Sequence, residues 1–250
     1  MTRHTHRGAA LMLTTQRHVI TALLAGASLA ACAPKPADDM SLEKPNAEKV
    51  VIASFTPLLD STVSQWREYK TPSGQKGWTF KDGVLSKTGN ASDLQSMQQY
   101  ANFVLEWEWM LEPGGNAGVF YRVTEEYNKP YWSGPEYQLL DDAKHPDGKD
   151  STRTAASAYA IYAPSAKVSK PGGEWNTSRL VVTGTHVEHW LNGTKVVDYE
   201  LKGADWSAKV KASKFNEYPN YGLASRGYIS IQGDHEGQLS IRGMRIQELP

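Results

Sequence analysis

From Val50 to the C-terminus the chain is written mostly in a two-residue period. Phe103, Leu105, Trp107 and Trp109 alternate with Glu106 and Glu108, so the apolar set points one way and the carboxylates the other. The tail repeats the pattern in 228–232 and again in 239–246. Two short runs flank Asp82-Gly83, and two longer ones, 187–191 and 195–199, flank Asn192-Gly193. Both dipeptides suit two-residue hairpin turns, in which both central residues need positive φ. No long segment carries a convincing helical period. Many short strands separated by turn signals predict an all-β fold of two packed antiparallel sheets, with no internal repeat. The stretch 141–175, rich in Gly, Pro and Lys, reads as a long connection on that scaffold.

The first 49 residues follow other rules. Residues 1–31 hold Arg3, Arg7 and Arg17 and no acid, and the apolar run 19–29 is too short to span a bilayer. A basic start, a short apolar middle and a small-residue end make a secretory signal. It closes on Leu29-Ala30-Ala31-Cys32, which resembles a bacterial lipobox. Met12 to Cys32 alone would already be a complete signal of this kind. Residues 32–49 are then a lipidated cysteine and a flexible tether, poor in large apolar groups. Residues 50–250 are one sandwich domain. Ala33 rather than Asp follows the cysteine, which points to the outer membrane. The membrane would thus be a partner through the anchor, and the protein exported to the cell envelope.

Composition narrows the chemistry. Formal net charge is zero over the full chain, with no basic stripe, so nucleic acid is not an expected partner. Without the three arginines before Cys32 the remainder is slightly acidic. Cys32 is the only cysteine, which excludes an internal disulfide and a cysteine-rich zinc site. There is no Gly-rich phosphate loop, no Gly-x-Ser-x-Gly elbow and no His-Glu-x-x-His pair. No cofactor is expected and no metal ligand is assigned. A divalent metal stays open only through His145-Pro146-Asp147 with Asp141 and Asp142, which lack an established ligand spacing.

Three stretches carry the candidate chemistry. On a regular strand Asn116, Gly118, Phe120 and Arg122 share a face, and the glycine allows a close approach. Glu136 and Gln138 share one face of the next run, with Tyr137, Leu139 and Asp141 on the other. His189 precedes a turn, and Asp234-His235 lies near the C-terminus. Glu106, Glu108, Arg122, Glu136, Gln138 and His189 could together line one polar sheet face. That face is either an ordinary solvated one with cross-strand ion pairs or a sugar site, where hydroxyls take directional hydrogen bonds and C–H faces stack on Trp and Tyr.

The order of motifs resembles the 3-keto-disaccharide hydrolase family of bacterial proteins. The pieces are Phe55 to Asp60 then Trp66; Gly77-Trp78 with Asp82 to Leu85; Asn116 to Arg122; Gly134 to Asp142; Tyr159 with Ala163-Pro164; Gly173 to Asn176; His189 to Gly193; and the closing strand to Leu249. Two departures stand out: Ala117 where the family has Ser, and an extra residue in Gln232 to Glu236. The resemblance implies a concanavalin A-like jelly roll and an oxidised sugar or glycoside as substrate. A ketone at C3 acidifies the C2 proton, so a base, an acid and donors to the enolate oxygen are needed. Glu136 and His189 are the expected base and acid in either order, with Arg122 and Gln138 on the keto oxygen. Tyr137, Tyr159 and Trp190 are expected to frame the ring, with Asn116, Glu108, Gln232 and His235 as further substrate contacts. A non-catalytic carbohydrate-binding envelope protein, and a two-carboxylate glycosidase using Glu106 or Glu108 with Glu136, remain as alternatives.

The N-terminal reading has its own test. Cys32→Ser should abolish incorporation of labelled palmitate in cells that label the wild type; equal labelling of both removes the anchor.

Overall fold

The computed structural model describes residues 54–60 and 63–250. Cys32, the signal and the tether lie outside the described residues. Among the described residues thirteen strands form two antiparallel sheets. In chain order they are β1 (Thr56–Pro57), β2 (Trp66–Glu68), β3 (Trp78–Lys81), β4 (Val84–Thr88), β5 (Leu94–Tyr100), β6 (Phe103–Leu111), β7 (Asn116–Val123), β8 (Glu136–Leu140), β9 (Asn176–Thr183), β10 (His186–Leu191), β11 (Thr194–Glu200), β12 (Gly227–Ile231) and β13 (Gln238–Glu248). The eight-stranded sheet runs β11-β10-β9-β6-β13-β4-β3, with β1 added along β13. The five-stranded sheet runs β2-β5-β12-β7-β8. This is the expected jelly-roll sandwich.

The two-residue period sets what lies between the layers. On β6 the residues Phe103, Leu105, Trp107 and Trp109 are buried against Val119, Tyr121, Tyr137 and Leu139 of β7 and β8. Trp107 meets Tyr137 edge-on, ring centres 4.9 Å apart. The polar tips are satisfied inside the core. Trp109 Nε1 donates to Ser178 Oγ at 2.8 Å, Ser178 donates to Tyr137 at 2.8 Å, and Tyr137 donates to the Trp190 carbonyl at 2.9 Å. Both predicted turns form as expected, with φ of 52° and 78° at Asp82 and Gly83 and 48° and 82° at Asn192 and Gly193. One helix lacks a sequence signal: α1 (Ala204–Ala212), of which only Trp206 is buried.

Two expected site residues are structural. Arg122 sits in a β-bulge where β7 meets β12, with φ of 51°, and the bulge breaks the parity that would align it with Gly118. Its guanidinium donates to the Ala101 carbonyl at 2.8 Å and the Gly184 carbonyl at 2.7 Å, stapling two turns at the end of the sandwich. His189 lies on the inner face of β10, fully buried between Tyr137 and Tyr199. Its Nδ1 donates to the Ala156 carbonyl at 2.9 Å, and Nε2 has no partner.

Burial drives the His189 imidazole down from 6.5 to about 4. The unfolded chain gains a proton near pH 6.5 that the folded chain refuses until near pH 4. Stability should therefore fall as pH drops through that window, by about 3 kcal/mol from this group. His189→Gln should flatten that acid limb in urea-unfolding curves; an unchanged limb refutes the assignment.

Candidate active site

A set of polar and ionisable groups collects on the outer face of the five-stranded sheet. Because Tyr137 and Leu139 turn inward, Glu136 and Gln138 turn outward. Opposite them on β7 the same rule presents Asn116 and Gly118. Asn116, Glu136 and Gln138, together with Gln232, Asp234 and His235 after β12, floor a cavity of about 380 Å³. Long connections supply the walls: Tyr131 from 124–135, His145, Asp147 and Tyr159 from the 141–175 stretch, and Lys214 from the segment after α1.

Glu136 lies directly over Gly118. A Cβ on Gly118 would fall 2.2 Å from Glu136 Oε1, so only glycine leaves room for the carboxyl. Burial pushes this carboxyl well above its ordinary range, and the Lys214 ammonium opposes that shift. Burial in turn lowers Lys214, which stands 4.4 Å from the centre of the Tyr159 ring. His235 is lowered by burial, against the pull of Asp234. Asp234 accepts from Lys129 at 2.8 Å through one oxygen. Beneath it Asp93 accepts from the Gly233 N–H at 2.9 Å and is pushed up to about 6 by burial and by Asp234.

The floor carries unspent hydrogen-bonding capacity. Gln138 donates to Asn116 Oδ1 at 3.2 Å, while Gln138 Oε1, Gln232 Oε1 and Asp234 Oδ1 are buried without partners. Buried acceptors of this kind are costly unless a ligand or water donates to them. With Tyr131 and Tyr159 alongside, the cavity offers acceptors, a cation, two imidazoles and ring faces. Those are the groups that hold a polyhydroxylated ring.

The structure brings together Glu136, Gln138, Asn116, Tyr159, Gln232 and His235 of the expected residues. It does not bring in Arg122, His189, Tyr137, Glu108 or Trp190. Tyr137 is core, because its neighbours in sequence take the outward positions. Glu108 and Trp190 belong to β6 and β10, in the other sheet. On that sheet's outer face Glu108 pairs with Arg242, Glu106 bridges Arg179 at 2.5 Å and Arg245 at 2.6 Å, and Trp190 donates to Glu188 at 2.8 Å. A hollow of about 870 Å³ lies there, larger than the Glu136 cavity. Its charges already satisfy one another, so the cavity with unmet acceptors is the stronger candidate. This also separates Glu106 and Glu108 from Glu136 by a whole sandwich and removes them as its partners in a two-carboxylate glycosidase.

Reasoning from sequence missed Tyr131, His145, Asp147, Lys214 and Asp234 as members of one site. His145 Nδ1 accepts from the Asp147 N–H at 3.1 Å, a local turn that the His-Pro-Asp order could have signalled. The suspected Ca²⁺ ligands are otherwise engaged: Asp141 accepts from Gly114 N at 2.8 Å, and Asp142 from Ala155 N at 2.7 Å and Ser169 at 2.8 Å. Elsewhere among the described residues His186, Glu188 and Asp198 come within 4.8 Å of one another, but Lys195 donates to Glu188 at 3.1 Å and Asp198 at 2.6 Å there.

A jelly roll with a polar, aromatic-walled cavity on one sheet fits a carbohydrate-active protein. The chain belongs to the 3-keto-alpha-glucoside-1,2-lyase-like domain family, whose model matches residues 54–247. It is 33% identical over 220 residues to a 3-keto-disaccharide hydrolase of Bacteroides thetaiotaomicron, covering 75% of this chain and 76% of that protein. A crystal structure from Parabacteroides distasonis, provisionally called a glycosyl hydrolase, is 31% identical with a TM-score of 0.72, covering 78% of this chain and 94% of that one. A second from the same organism, at 23% identity and TM-score 0.63, shares the fold.

Gly118→Ala should preserve the fold yet displace the Glu136 carboxyl, cutting turnover about 10²-fold, the scale of a 1 Å misplacement. Turnover within twofold of wild type, with unchanged thermal unfolding, would show that Glu136 needs no such seat.

Proposed function

We propose that this chain cleaves glycosides already oxidised at C3 of the sugar, by elimination followed by hydration. The observation that carries the reading is the burial of Glu136 beside Lys214 in the cavity that His235 also lines. A carboxyl raised by burial stays within reach of both protonation states near neutrality, which is what proton transfer at carbon requires.

A base removes the C2 proton, and the electron pair moves onto the C3 oxygen as an enolate. Lys214 and the amide of Gln232 are the nearby donors that can hold that oxygen. The enolate then collapses, the C1–C2 double bond forms, and the C1–O bond breaks as an acid protonates the leaving oxygen. Water adds to C1 and a proton returns to C2, giving net hydrolysis. Glu136 and His235 are the base and acid, in either order, with His145 as a second imidazole on the cavity wall. Gln138 Oε1 and Gln232 Oε1 accept from sugar hydroxyls, and Tyr131 and Tyr159 border the ring. Lys214 and His235 thus take the roles expected from sequence for Arg122 and His189. Export and a lipid anchor at Cys32 belong to the same reading and rest on the sequence pattern alone.

The test is aglycone release from a 3-keto-glucoside and from its unoxidised counterpart. Wild type should release only from the oxidised substrate, and Glu136→Gln should lose about 10²–10⁴-fold. Cleavage of the unoxidised glycoside alone sinks the proposal. A second readout is stability. Because the folded-state value of Glu136 is raised, wild type should lose stability as pH rises through that value, whereas Glu136→Gln should not.

A further inference from the structure

Lys87 is a buried cation outside the lining of the cavity. It lies on β4, in the sheet that does not carry the cavity floor, and points inward with Leu85. It is only 2% exposed, rare for a lysine. Its ammonium has three donors, and all three are spent on carbonyls: His235 at 2.6 Å, Gly237 at 3.0 Å and Gly89 at 3.1 Å. Two of those carbonyls belong to the turn joining β12 to β13, which carries Asp234 and His235 into the cavity. The same turn is tied elsewhere by backbone bonds, Ala91 N to Gly233 O at 2.9 Å and Gly89 N to Gly237 O at 3.2 Å.

We propose that Lys87 is a positioning residue for His235, a buried ammonium that reaches across from the opposite sheet and fixes the turn by its carbonyls. A backbone bond can hold one carbonyl; only a compact tetrahedral cation can gather three converging ones and leave no donor over. An apolar residue would strand the His235 and Gly89 carbonyls and leave Gly237 only its bond from the Gly89 N–H, and the turn would have to open toward solvent to rehydrate them.

The charge matters as well as the geometry. Lys87 faces Glu236, Asp234, Glu112 and Asp93, which favour its charged form against burial. His235 is faced by Asp234, which favours its protonation, and by Lys87, His145 and Lys214, which oppose it. Glu136, Asp147, Tyr131 and Tyr159 line the same cavity. Removing the Lys87 cation therefore makes His235 easier to protonate.

This inference rests on His235 taking part in proton transfer, and the experiment separates the two. Lys87→Gln keeps two N–H donors of the three and loses the charge; Lys87→Met loses both. The His235 ring resonance, assigned by its absence in His235→Gln, is titrated by NMR without substrate. In folded Lys87→Gln the His235 midpoint should rise, and kcat on a 3-keto-glucoside should fall about tenfold or more with KM within about threefold, the pattern of lost geometry rather than lost binding. Lys87→Met should show the larger fall in kcat. A wild-type midpoint in folded Lys87→Gln overturns the proposal even if activity falls, because the role is then merely structural. Failure of both variants to fold overturns it in the same way. A wild type inactive on every 3-keto-glycoside refutes the proposed reaction, while the titration still reports on Lys87.

Discussion

A carboxyl held out of water on a glycine is the constraint around which this molecule is arranged. Glu136 stands on Gly118, where a single methyl group would collide with it. That seat strips the carboxylate of solvent and raises its affinity for a proton. The rest of the site follows from the cost. A buried ionisable group needs a nearby opposite charge, which Lys214 supplies, and walls that limit its contact with bulk water, which the connections supply. The arrangement lowers stability to keep an ionisable carboxyl dry, the trade that the proposed reaction calls for.

The two outer faces of the sandwich divide along the same line. On the eight-stranded sheet the exposed charges are spent on each other, Glu106 with two arginines and Glu108 with one. In the cavity over the five-stranded sheet three side-chain oxygens, of Gln138, Gln232 and Asp234, are left buried and unmet. The larger hollow lies over the satisfied face. Size is the weaker guide here, because a ligand is held by groups that the protein has left for it to pair with, not by volume.

Lys214 reaches the site on a segment with little helical amphipathicity of its own. What docks it is a stack of rings. Phe215 lies 4.0 Å from Tyr221, Tyr221 lies 5.7 Å from Trp206, and Trp206 lies 5.7 Å from Tyr199 of β11, all within a few degrees of parallel. Each such pair adds about 0.5–1.5 kcal/mol beyond burial. The cation thus takes its place from tertiary contacts with the opposite sheet. The turn bearing His235 likewise leans on Lys87, so both layers set the geometry of a cavity that only one of them floors.

The strands, both hairpin turns and the outward pairing of Glu136 with Gln138 were legible in the chain, because side chains alternate every two residues wherever a strand is regular. Alternation is a local rule. It says which residues share a face of one strand and nothing about which sheet that strand joins, so Glu108, Trp190 and His189 could be grouped with Glu136 when they belong to the other layer. It also fails at a bulge, which is why Arg122 turned away from the face that Gly118 occupies. Tyr131, His145, Lys214 and the anchoring Lys87 arrive from loops and from the far sheet. Their meeting was decided by packing between segments distant in sequence, and no period along the chain records it.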